Sequence, residues 1–414
     1  MTGRIGIIGG GIAGISAAYM LARKHDVTIL EADDRLGGHA NTVKIQEDGQ
    51  ELEVDTAFLI FNSHSYERFM RFLGQLGLRD RAVKTDMSIG IEEKESGLVY
   101  AVNGTLRELF HQRRNLVRPR FIKLLAEIRR FRKAADPRTI SVAEAKIGLR
   151  AFLDARGFSQ TFRECFAYPL CASVWSLPQT AMDEFPAGLF FRFFANHKML
   201  KQDGASWLTL RGGSVQYIRK FRATTTARVI ERCPVASVER SDAGCLVRTR
   251  SGDELAFDRV VLATHADTAL GLLAKPTADE ARLLGAWRYQ DCRAVLHTDR
   301  EVFPRVATSW PSWNISRDAG KMTVTYYLNR IQKLRARRDY FVTLGECAPR
   351  KSDVIATASY RHPVFTVESS DTQRELDTLN RERTFFCGSY FGNGFHEDAI
   401  ASSERVARHF GQEL

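Results

Sequence analysis

No apolar run in these 414 residues reaches the eighteen or so needed to cross a bilayer as a helix, so no membrane span is expected. Cysteine is scarce and unpaired: seven residues, at 165, 171, 233, 245, 292, 347 and 387, with no CxxC spacing. Such spacing excludes a disulfide framework and a cysteine zinc site, and it suits a reducing cytoplasm. The HEDAI segment at 396–400 lacks the second histidine of HExxH, so no metal is expected. Internal repeats and low-complexity linkers are also missing, and no recognised nucleic-acid module accompanies the net charge of +11. A nucleic-acid partner is therefore not expected. What remains is a globular composition, 44% hydrophobic, in a chain longer than one core supports. Two interleaved domains are the expectation.

Arg4–Ile8 is a short apolar run of strand type, followed at once by GGGIAG. Gly9, Gly11 and Gly14 fill the slots of GxGxxG, and ISAAYMLARK continues as a helix. The first two glycines permit a tight turn and close approach of backbone N–H groups to a pyrophosphate. The third lets the helix pack against the strand. Residues 26–31 form a second buried strand ending in Glu31, whose carboxylate is placed to accept the adenosine ribose hydroxyls. Arg4 before an apolar run imitates a secretory signal peptide, but the glycine spacing and the charged EADDR argue against one. A nicotinamide dinucleotide site of the same βαβ type is the sharper competitor. The Gly37-Gly38 pair decides against it.

The segment EADDRLGGH resembles the E-A-x-x-R-x-G-G-R stretch of the flavin-containing amine oxidase superfamily, with His39 where the family usually has Arg. The resemblance implies an α/β fold, a Rossmann-type FAD-binding domain of the GR2 kind interleaved with an α+β substrate domain. Its cofactor is FAD. The implied FAD contacts begin with Gly9, Gly11, Ile12, Ala13 and Gly14, then Glu31, Ala32, Arg35, Gly37, Gly38 and His39. Residues 43–62 read as a hairpin running into the family stretch beside the flavin ring, with Ala57 and Phe58 where glycines are common. A β-meander over 235–264 would bring Val235 to the adenine, and its last strand ends at Ala263. The closing stretch 383–410 reads as strand, glycine turn and helix. There Gly388, Ser389, Phe395, His396 and Ala399 would meet the ribityl chain and the pyrimidine end of the ring, with the helix dipole favouring negative charge on reduced flavin.

These returns give an FAD-binding domain of 1–63, 226–279 and 371–414, and a substrate domain of 64–225 and 280–370. Within the latter, 106–138 holds eleven Lys/Arg against three Asp/Glu. Phe121, Leu124, Leu125, Ile128 and Phe131 recur there at helical spacing. This reads equally as a basic amphipathic helix on anionic lipid or as a core-packed helix with a solvated basic face. The aromatic-rich runs CFAYPLCASVWSLP, FFRFFANHKML and GASWLTLRGGSVQYI are mostly expected in the core. The whole pattern resembles a bacterial subgroup often encoded beside cyclopropane-fatty-acid-synthase-type methyltransferases.

Flavin chemistry of this kind moves a hydride between a substrate C–H bond and the flavin N5, while the protein orients and excludes water. Family amine oxidases place a lysine near N5. Here the strand over 292–298 offers Arg293 instead, and Phe395 supplies a ring without a hydroxyl. The expected reaction is dehydrogenation or its reverse on a fatty acyl chain of membrane lipid, at a double bond or a methyl or cyclopropane modification. His197 and Tyr326 are the candidate catalytic groups. Oxidation of an amine or amino acid is the alternative, and a non-catalytic flavoprotein partner of a neighbouring lipid-modifying enzyme is a third reading. The expected setting is the cytoplasm, extending to the inner face of an anionic membrane.

Overall fold

The computed structural model describes residues 3–102, 109, 112–134, 140–175, 179–199, 206–303, 310–345 and 349–414. Cys347 and the flanks of the basic 106–138 stretch lie outside them. A five-stranded sheet is ordered Arg228–Ile230, Asp26–Leu30, Arg4–Ile8, Arg259–Leu262, Thr384–Phe386, and all four pairings are parallel. Parallel strands covered on both faces must be apolar along their length, and Ile5, Ile7, Ile29 and Val261 are fully buried. Strands distant in sequence thus form one sheet. The Ile12–Leu21 helix covers one face and packs on the closing helix His396–Arg408, where Ser403 Oγ donates to Ala13 O at 2.8 Å.

A seven-stranded sheet runs Val354–Val364, Arg288–His297, Phe341–Gly345, Lys321–Tyr327, Trp313–Asp318, Ile89–Glu93, Leu98–Val102. Every neighbouring pair is antiparallel except Trp313–Asp318 with Ile89–Glu93, so this sheet too joins distant segments. The Asn41–Glu47 and Gln50–Ala57 hairpin meets this sheet, with the Thr56 and Tyr360 hydroxyls 2.6 Å apart. Its buried Asp55 accepts bonds from Thr42, from Ser214 N–H and Oγ, and from Gln332 Nε2. Burial nevertheless pushes that carboxyl up to about 7.

The Pro119–Ala134 helix corrects one expectation. Phe121, Leu124, Ile128 and Phe131 are buried, and the Phe131 ring meets those of Phe158, Phe162, Phe166, Phe190 and Phe191. The apolar stripe serves the core, and the basic face is what solvent sees. Leu116 and Val117 on the preceding 3-10 turn and Ile122 on the outer face are instead exposed, by 53%, 79% and 53%. No helix among the described residues is long and apolar enough to cross a membrane.

Candidate active site

The turn after the first strand is built by backbone freedom. Gly9 has φ +102°, and a Cβ there would come within 2.8 Å of Ala263 O. A side chain at Gly14 would collide with the Gly9 carbonyl, so this glycine holds helix and strand together and does not line the cavity. Gly11 differs from both. A Cβ there meets nothing within 4 Å, because it points into open space.

Beside this turn, Gly37 N–H donates to Gly10 O at 2.8 Å. Gly37 and Gly38 have φ +123° and +55°. Arg35 fixes the pair by donating to Gly38 O and Ala40 O at 3.0 and 3.1 Å. Its guanidinium therefore supports the cradle from behind instead of lining it. Glu31 is 9% exposed and accepts N–H bonds from Gly10 at 2.6 Å and Asp33 at 2.9 Å. Burial raises its pKa, with those two bonds opposing.

The glycines open onto a cavity of about 710 Å³. At one end are residues 9–13, 31–33, 37–39 and 263–265; in the middle stand Ala57, Phe58, Gly388, Ser389, Phe395, His396 and Ala399. The far end is lined by Met87, Trp175, Phe193, Met199, Trp207, Trp313 and Leu344, with His197 and Tyr326 among them. Of the expected FAD contacts, Gly14, Arg35 and Val235 stand outside the lining. Val235 is 7% exposed and paired in its strand with Thr249. Arg293 is also corrected: it is on the exposed face of Arg288–His297, because Cys292 and Ala294 take the buried face. Its sheet neighbour Val354–Val364 lines the cavity instead, through Tyr360, Arg361, His362 and Pro363. The sequence does not single out these residues, nor His265, because no local spacing marks them and the long strand pairing brings them to the cavity.

His197 Nδ1 is bonded to Phe193 O at 2.9 Å, and its ring stacks on Phe193 at 3.9 Å. Burial pushes its pKa down to about 4, so the ring is neutral at pH 7. Tyr326 is buried and its hydroxyl donates to Ser173 O at 3.4 Å. Phe395 joins Phe193 and Trp175, with ring centroids 4.8 and 6.3 Å away. His396, stacked on Phe58, is pushed by burial to about 3.

The model of the flavin containing amine oxidoreductase family matches residues 12–334. The chain belongs to this family. Its cofactor is FAD, and its class is that of the FAD-dependent oxidoreductases. The residues present fit that cofactor: Gly11 leaves its path open, and His39 Nε2 is a buried nitrogen without a partner beside it. Among solved structures, a fatty acid isomerase from P. acnes that produces CLA aligns at a TM-score of 0.69 with 16% identity, covering 99% of this chain and 98% of that one. Cyclohexylamine oxidase from Brevibacterium oxydans aligns at a TM-score of 0.69 with 14% identity, covering 99% and 100%. An L-amino-acid oxidase from Pseudechis australis is 51% identical over 47 residues, 11% of this chain and 9% of its own length. The shared stretch is thus about a tenth of either protein. A fold that hosts both an isomerase of fatty acids and an oxidase of amines leaves substrate choice to the cavity walls.

Proposed function

We propose that this protein is an FAD-dependent oxidoreductase acting on a fatty acyl chain of membrane lipid, near a double bond or a methyl or cyclopropane branch. The observation that carries this reading is the far end of the cavity. Its walls are methionine, tryptophan, phenylalanine and leucine around the two polar rings of His197 and Tyr326, and no charged side chain stands there among the described residues. A substrate amine is cationic at neutral pH, and burying it without a carboxylate would cost several kcal/mol. A free amino acid would need a cation for its carboxylate as well. An esterified acyl chain needs neither, and each methylene moved from water into such walls contributes about 0.8 kcal/mol.

When bound, FAD supplies hydride transfer with a substrate carbon. The chain's own groups orient and hold. Phe193, Trp175 and Phe395 form one aromatic wall, and Trp313 with Tyr326 forms another at 5.0 Å between centroids. His197, neutral and held by the Phe193 carbonyl, is placed to position the reacting segment or hold a proton. The Tyr326 hydroxyl is the second polar group.

An acyl substrate resides in a membrane, so the enzyme must meet one. Exposed Leu116, Val117 and Ile122 stand among exposed Arg113, Arg114, Arg120 and Lys123, a combination suited to an anionic lipid surface. This patch replaces the buried stripe as the proposed contact. Anaerobic photometry of the holoenzyme with lipid extract and with amines tests the substrate class.

A further inference from the structure

Three imidazoles meet at the glycine-lined end of the cavity. His39 follows the Gly37-Gly38 turn, His265 caps the Ala266–Leu272 helix, and His362 comes from Val354–Val364. The His39 ring lies 5.1 Å from that of His362 and 6.3 Å from that of His265. His39 Nε2 and His362 Nδ1 are buried with no hydrogen-bond partner. Two orphaned ring nitrogens in one cluster call for a ligand. The described residues contain no group of three that could hold a metal ion.

The charge balance of the cofactor points to an anion. A pyrophosphate brings two negative charges, and fixed cations at this end are already committed. Arg361 is the only Lys or Arg among the described cavity walls, and it pairs with Asp267 at 2.7 Å and Asp291 at 3.7 Å. Arg35 is held by two carbonyls. We propose that His39, His265 and His362 form a titratable clamp for the FAD pyrophosphate, which takes up protons as the cofactor binds. The inference rests on FAD being the cofactor and is independent of the acyl substrate.

The other groups facing the cluster set its direction. His396 from the closing helix, Arg35 and the neighbouring imidazoles disfavour charge on His39. Asp267 favours it on His265, and Arg361 opposes. Tyr360 and Tyr289 stack on His39 and His265 at 4.9 and 4.4 Å and are neutral. Without a ligand, burial keeps all three rings uncharged, His265 and His362 at about 4. A dianion placed against them raises those values, so binding takes up protons and weakens as pH rises. Glu31 acts with the opposite sign, since a raised carboxyl pKa favours ribose binding at higher pH.

The test is equilibrium release of flavin from diluted holoenzyme at pH 5.5 to 8.5, with free FAD read by fluorescence after ultrafiltration. The dissociation constant is expected to rise with pH, by up to about tenfold per pH unit for each proton taken up. His39→Arg supplies a permanent charge and should flatten the profile while retaining flavin at pH 8. His362→Gln should lower the slope. A second readout is the buffer-dependent binding enthalpy, which should report proton uptake at pH 6.5. A dissociation constant that is independent of pH or falls as pH rises overturns the clamp. So does an undiminished slope in both variants, which would assign the titration elsewhere.

Discussion

Phe58 lies flat on His396, with ring centroids 3.3 Å apart and planes 6° from parallel. The stack explains a backbone that sequence alone makes odd. Phe58 has φ +52°, a left-handed conformation natural to glycine and costly for an aromatic residue. The edge-on contact with Phe69 at 5.2 Å also holds the ring. Packing therefore sustains a strained residue beside the cofactor path. Phe58→Gly loses the ring but relieves the backbone; Phe58→Ala loses the ring and keeps the strain. The Ala variant should be less stable than the Gly variant by about 1 kcal/mol in urea unfolding. An Ala variant equal to or more stable than the Gly variant would show that the backbone is unstrained.

Gly11 and Gly14 should fail in different ways. Gly11→Val adds a side chain in open space, so the fold should persist with unchanged circular dichroism while the 450 nm flavin band disappears. Gly14→Val collides with the Gly9 carbonyl and should destabilise the domain itself. Full flavin content in folded Gly11→Val would displace the cofactor from this turn.

Glu31 holds the turn through two N–H bonds, and an acid at the end of this strand is expected to accept the ribose hydroxyls. Glu31→Gln should weaken FAD binding about ten- to a hundredfold, the range for bonds to a charged group. NADPH should not bind the flavin-stripped protein at this site, because an acid here repels a 2′-phosphate. Calorimetry measures both.

His197 gives a pH signature. Its folded pKa, about 4, lies below the ordinary 6.5. The unfolded chain therefore binds a proton below pH 6.5 that the folded one refuses until about pH 4, and stability falls as pH drops through that window. Asp55 and Asp398, pushed up to about 7 and about 6 by burial, act in the opposite direction. Comparison with His197→Gln cancels them. The wild type should lose stability faster on acidification than the variant, by up to about 1.4 kcal/mol per pH unit. Parallel profiles would mean that His197 is solvated.

The exposed Leu116, Val117 and Ile122 predict binding to anionic vesicles that salt reverses. Leu116→Asp with Val117→Asp should abolish sedimentation with vesicles and leave flavin content intact. Wild-type protein that ignores anionic vesicles would show that this surface is not a lipid contact.

The cradle was legible because its demands are local. Gly9, Gly11, Glu31 and the Gly37-Gly38 pair occupy a thirty-residue stretch in which each spacing follows from one turn or strand end. Gly388 through Ala399 were readable for the same reason. What failed depended on faces and distant pairing. Arg293 pairs with Ser359, and a one-residue phase decides which side chains of that strand are buried and which are exposed. His265, Tyr360 and His362 reach the site through tertiary pairing that periodicity does not encode. The stripe from Phe121 to Phe131 showed an apolar face at helical spacing, which is the same whether protein or lipid covers it.

The proposed function stands on an acyl substrate for the flavin. Anaerobic mixing of the holoenzyme with membrane lipid extract, followed at 450 nm, tests it most directly. Lipids that carry unsaturated or methyl-branched chains should bleach the flavin, and polyamines, simple amines and amino acids should not. Bleaching by an amine with no response to lipid would contradict it.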